Sequence, residues 1–175
     1  MSVPGSYVGP LLLSANSTVV SAPVMTRPAD TTAYAVGDLV ANSTVAGSVV
    51  PLALPIARAN NTPSTLRRVR LKKSGTSLTN AQFRVHFYRK LPTLANGDNG
   101  AWSTSESHYI GSVDITMDKA FTDGAKGFGI PSVGSEMIAL PDDDLQVVYA
   151  LLEARAAYTP VSGEQFTLTG EVFQD

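Results

Sequence analysis

The sequence predicts an all-β chain: an antiparallel, jelly-roll-like β-sandwich over residues 16–175, preceded by an extended N-terminal arm over residues 1–15. Three observations predict it. Stretches in which apolar and polar residues alternate recur along the chain, which is the period of a half-buried strand. Clusters of Gly, Pro, Ser and Thr separate these stretches. Charged residues make up only 16% of the 175 positions, fewer than the solvated faces of a helical bundle need.

Residues 1–15 mix Gly, Pro and Ser with a short apolar run, Leu11-Leu12-Leu13, and read as an arm that orders only when docked. The run is too short for a membrane span or a signal core. Residues 18–25 form the first strand, and Pro23 assigns it to an edge. In RPADTTAYAVGDLVAN, residues 27–42, Pro28, Asp30 and Gly37-Asp38 mark turns, and Tyr34, Val36, Leu39 and Val40 anchor the segment on the core. Residues 48–57, SVVPLALPIA, are apolar enough for a buried strand, but Pro51 and Pro55 restrict it to an edge or a bulge.

The stretch LRRVRLKKSGTSLTNAQFRVHFYRK, residues 66–90, carries the clearest pattern. Val69 and Leu71 share a face of one strand. In the next, Phe83, Val85 and Phe87 alternate with Arg84, His86 and Tyr88. The turn chemistry of 74–77 and Asn80 predicts that the two strands pair as a hairpin, apolar on one side and basic on the other, with Arg68, Arg70, Lys72 and Arg84 as candidate contacts to a partner or a neighbouring subunit.

Residues 91–107 read as a long surface loop containing Trp102, the single tryptophan. Residues 109–117 alternate cleanly, with Val113, Ile115 and Met117 inward. Residues 118–134 hold four glycines and read as another loop, followed by a short strand near 136–140. Asp142-Asp143-Asp144 ahead of the Ala/Leu-rich 145–157 resembles a helix start. The strand neighbours on either side favour a buried strand over 147–155. Residues 164–173 close the chain as a strand with Phe166, Leu168 and Val172 on one face.

The net charge of −2 conceals a strong segregation. Nine of thirteen basic residues lie within 58–90, which contains no acid, while thirteen acids and three bases follow from Leu91 onward. Internal pairing of the two halves is favoured slightly over a partner site. A neighbouring −10 cancels much of the field that would attract nucleic acid, so no nucleic-acid or membrane partner is expected.

No cysteine is present, which excludes disulfides, thiolate metal sites and cysteine nucleophiles and accords with a reducing cytoplasm. No nucleophile elbow, phosphate loop or dinucleotide fingerprint occurs, and His86 and His108 lack zinc-site spacing. The expectation is a chain that is not an enzyme and holds no cofactor or metal. Asp142 to Asp144 and the loop at 96–99 carry oxygen ligands for a hard cation but read more simply as solvated turns. Tyr34-Ala-Val-Gly37-Asp38-Leu-Val40 resembles the Tyr-x-x-Gly-Asp-x-Val text of small chitin-binding modules, though small aliphatic residues follow where aromatics would be expected.

Longer stretches, TRPADTTAYAVGDLV (26–40), LRRVRLKKSGTS (66–77), NGDNGAW (96–102), AFTDG (120–124) and LEARAAYTP (152–160), resemble structural proteins of tailed-bacteriophage virions, of the accessory or capsid-decoration type. The resemblance implies a β-rich virion component that docks on the major capsid protein as a homo-oligomer, a trimer by preference. It implies no active residue. The alternative expectation is a carbohydrate-binding module displayed on the particle, with Trp102, Tyr109 and Tyr34 as sugar-stacking residues.

Overall fold

The computed structural model describes residues 16–131, 136–142 and 144–174, so the arm assigned to 1–15 lies outside the described residues. Among the described residues eleven strands form one antiparallel sheet: β1 (Asn16–Ser21), β2 (Met25–Thr26), β3 (Leu39–Val40), β4 (Leu52–Pro55), β5 (Ser64–Lys73), β6 (Gln82–Tyr88), β7 (Tyr109–Phe121), β8 (Gly124–Gly129), β9 (Met137–Ala139), β10 (Val147–Ala154) and β11 (Gln165–Gln174). Their order is β1-β11-β5-β8-β7-β6-β10-β3, with β2 on β11, β9 on β5 and β4 on β10. The sheet turns back on itself at the β7/β8 pair, whose register shifts between Met117 and Lys119. Two layers then face each other across the core. Phe83 of β6 meets Phe166 of β11 edge to face, ring centroids 5.4 Å apart, and Leu54 of β4 reaches the backbone of Gly170 in β11. The chain is all-β and sandwich-like, and no α-helix occurs among the described residues.

The alternating positions fill the core as the pattern dictates: Val69, Leu71, Phe83, Val85, Phe87, Val113, Ile115, Met117, Phe166, Leu168 and Val172 are all buried. Burying one large apolar side chain contributes about 1.5–3 kcal/mol, so these faces dominate stability. Among the described residues β1 pairs only with β11 and β4 only with β10, which places the proline-flanked strands at edges where a missing N–H costs no ladder bond.

Three expectations are corrected. β5 and β6 do not form a hairpin: β5 lies between β11 and β8, and β6 lies between β7 and β10. The eight residues 74–81 instead carry the chain from one layer to the other, longer than hairpin loops of about 2–5 residues. Of the glycine-rich 118–134, residues 132–134 lie outside the described residues and 118–131 are largely strand, since β7 runs on to Phe121 and turns tightly into β8. A Cβ on Gly127 would lie 2.3 Å from the Thr116 carbonyl oxygen, and one on Gly129 would lie 2.4 Å from Val113 Cγ1. Both inward positions must be bare where the sheet bends. Val36, expected as an anchor, is exposed, whereas Tyr34, Leu39 and Val40 are buried.

β10 is a strand, as its neighbours imply. Val148, Ala150, Leu152 and Ala154 enter the main core, while Leu151 faces a second cluster with Leu39, Ala41 and Tyr88, flanked by Val49, Leu94, Trp102 and Tyr149. Loops therefore cover the outer side of β6 and β10. Burial on both faces explains an apolar run without alternation.

Candidate functional site

Two regions hold the residues singled out from the sequence. The first is the outer face of the β11-β5-β8 layer. The alternation that turns Val69 and Leu71 inward turns Arg68, Arg70 and Lys72 outward. None stands alone: Arg68 forms a two-pronged pair with Glu171, with Nη2 donating at 2.6 Å and Nε at 3.0 Å, Arg70 Nη2 also donates to Glu171, and Lys72 pairs with Asp123 at 2.8 Å. Arg84 sits in the other layer and forms a bidentate pair with Asp114 at 2.6 and 2.7 Å. The hydrogen bond from Arg84 holds the Asp114 carboxyl below its ordinary pKa.

The same scheme runs through the basic segment. Arg67 meets Glu136, Lys73 meets Glu164 and Lys90 meets Asp142. Acids from the C-terminal half discharge bases from the middle. Most of these pairs are exposed and each contributes only about 0–1 kcal/mol. Lys73 and Glu164 differ, being 0% exposed; burial lowers the lysine pKa against the raising effect of Glu164, and the carboxylate also accepts from Gly75 N–H and Tyr158 Oη.

The second region is a groove of about 210 Å³ over β6 and β7, lined by His86, Tyr88, Trp102, Thr104, Ser105, Glu106 and Tyr109. Trp102 stacks on His86 with ring centroids 4.0 Å apart, and Tyr109 tilts toward both His86 and Tyr88. His86 Nε2 lies 2.8 Å from Glu153 Oε2, and Nδ1 lies 3.2 Å from Tyr109 Oη. Burial outweighs the pull of Glu153 and lowers the imidazole pKa. The neutral ring therefore donates from Nε2 to the carboxylate and accepts from Tyr109 at Nδ1. Arg155 Nη1 holds the other Glu153 oxygen at 2.7 Å.

Of the three aromatic candidates, the structure brings Trp102 and Tyr109 to one groove and removes Tyr34 from it. Tyr34 is 1% exposed, donates to Asp98 at 2.6 Å and stacks parallel to Tyr158. It has no face for a sugar ring. Asp98 is likewise no solvated turn residue: it is buried, pairs with Arg27 at 2.8 Å and accepts from Ala41 N–H, pinning the 96–99 loop to the core. His86 of the groove lining and Glu153, its hydrogen-bond partner, form a pair that pattern alone missed. Their outward positions on β6 and β10 were legible, but their meeting depends on the β6/β10 register, in which Leu152 faces Val85 and Glu153 faces Arg84.

Arg84 is the cross-strand neighbour of both Asp114 and Glu153, so a guanidinium stands between these two carboxylates. Among the described residues no group of three or more His, Asp or Glu side chains is placed to hold a metal ion, and no helix is long and apolar enough to cross a membrane. No protein-family model and no curated protein sequence matches the chain.

Proposed function

We propose that the chain is a non-enzymatic structural protein of a tailed-bacteriophage virion, of the capsid-decoration type, docking on the shell of the major capsid protein as a homo-oligomer, with a trimer the expected state. The resemblance at 26–40, 66–77, 96–102, 120–124 and 152–160 supplies the setting. The observation that carries the reading is the outer face of the β11-β5-β8 layer and its rim, where Phe121, Phe128, Ile130 and Ile138 are exposed beside paired Arg68, Arg70 and Lys72. Exposed aromatics amid a charged rim are the composition of a docking surface. Quantitative mass spectrometry of washed particles tests this. A copy number near that of the shell protein is expected; absence from the particles refutes it.

A second reading is a carbohydrate-binding module on the same particle, favoured by the convergence of Trp102 and Tyr109 with His86 on one groove. Sugar rings stack on such aromatic edges while polar neighbours such as Thr104 and Glu106 take their hydroxyls. A glycan array on which wild type gives signal and Trp102→Ala and Tyr109→Ala do not is the expected result. No signal from wild type ends this reading.

A further inference from the structure

On the outer face of the first layer the cross-strand register builds a regular lattice. One row runs Thr167, Lys72, Lys126, Lys119; the next runs Ser21, Thr169, Arg70, Phe128. Six of these side chains, Thr167, Thr169, Arg70, Lys72, Lys126 and Phe128, line a groove of about 180 Å³. Three lysines stand directly opposite one another across two strand pairs, an arrangement that opposes folding unless negative charge lies close by. Part of that charge is internal: Asp123 on Lys72 and Asp118 near Lys119. Lys126 makes no ion pair among the described residues, and its ammonium lies 5.5 Å from the centre of the Phe121 ring.

Arg70 adds to the excess. It shares one carboxylate, Glu171, with Arg68, and its Nε is buried without a hydrogen-bond partner. Across the face five cations, Arg68, Arg70, Lys72, Lys119 and Lys126, meet three carboxylates, so it is positive on a chain whose net charge is −2. Phe128, 45% exposed beneath the Arg68 guanidinium, supplies an apolar wall.

We propose that this groove receives a carboxylate side chain from an acidic, extended segment of the protein on which the chain docks, with Lys126 and Arg70 taking the charge, Thr167 and Thr169 donating hydroxyl hydrogens and Phe128 packing against the segment's backbone. The proposal names the contact surface for the docking reading above and rests on it for the identity of the partner. Complementary charge selects an acidic segment, and the apolar wall selects a peptide over a bare anion.

The test uses isotope-labelled full-length protein titrated with a hexaglutamate peptide and, separately, with inorganic phosphate, followed by amide resonances. Saturable shifts confined to Arg70, Lys126, Thr167, Thr169 and their neighbours are expected with the peptide. Binding should weaken roughly tenfold in Lys126→Glu, a variant that breaks no internal ion pair, and should also weaken as salt rises from about 0.1 M to about 1 M. Absent or scattered shifts overturn the proposal, as does phosphate binding as tightly as the peptide, which identifies a small-anion site. Concentration-dependent shifts at the groove without any peptide overturn it in favour of a second copy as occupant. If particles lack the chain while hexaglutamate still binds here, only the docking reading falls. If particles retain Lys126→Glu as fully as wild type at every salt concentration, the groove is not the docking contact.

Discussion

At the scale of single residues, buried polar groups carry more consequence than the many surface ion pairs. Lys73, Glu164 and Tyr158 form a closed set in which the carboxylate takes Lys73 Nζ, Gly75 N–H and the Tyr158 hydroxyl. Removing either Lys73 or Glu164 leaves the other as an unpaired buried charge, which costs about 3–5 kcal/mol. Glu164→Ala is therefore expected to lower the urea midpoint severely, while the joint replacement Lys73→Met with Glu164→Leu recovers much of the loss. A single variant as stable as wild type would contradict the closed set. Gly127→Ala is expected to cost about 1–3 kcal/mol by overpacking against Thr116 and Ile115. That glycine also marks the limit of the sequence pattern. In β8 the inward positions are Ala125, Gly127 and Gly129, while Lys126 and Phe128 point out, so hydrophobicity has no core-facing period to reveal the strand. The faces of β6 and β7 were legible because their inward residues are large.

At the scale of elements, the β7-β6-β10 group couples a sheet surface to its own acid sensitivity. His86 on β6 is held neutral by burial between Trp102, Tyr109 and Glu153, so its folded pKa lies below the ordinary value near 6.5. Its neighbours on the packed elements are Arg84, Asp114, Glu153 and Arg155, and only the two carboxylates add to the acid effect. Burial pushes Glu153 up, but hydrogen bonds from His86 and Arg155 outweigh it and hold the carboxyl low; Asp114 is held low by Arg84. A depressed folded pKa means that the unfolded chain binds the proton first. For His86 the stability is present above about pH 6.5 and falls as pH drops toward the folded pKa; for Asp114 and Glu153 it is present above about pH 4 and falls as pH drops toward their folded pKa values. Denaturation in urea between pH 7 and pH 5 should show a declining midpoint, and His86→Gln should flatten the decline. An unchanged slope in that variant would assign the acid sensitivity elsewhere. The identities of β6 and β10 followed from their residues, but their adjacency did not. Strands so far apart in sequence are paired by closure of the whole sheet rather than by any turn between them, which is also why β5 and β6, joined by 74–81, lie in different layers.

At the scale of the whole molecule, the charge segregation and the strand order express the same fact. Bases of the middle segment sit beside acids of the last strands because β11 lies inside the sheet, between β1 and β5, and carries Glu171 to Arg68 and Arg70. Glu164, one residue ahead of β11, reaches Lys73 in the same way. β11 also brings Phe166, Leu168 and Val172 into the core and is the one partner of β1 among the described residues. A sheet with β11 in its interior cannot close until residues 165–174 are present, and pairings between distant segments place loop closure ahead of the contacts that reward it. Refolding from urea is accordingly expected on the millisecond-to-second scale typical of non-local β topologies. A chain truncated after Val161 should show no cooperative unfolding, because β5 loses its main neighbour and Lys73 its carboxylate in one cut. Sub-millisecond refolding, or a truncated chain that keeps a sharp transition, would mean that the β7-β6-β10 group folds as an independent unit and that β11 is an addition to it.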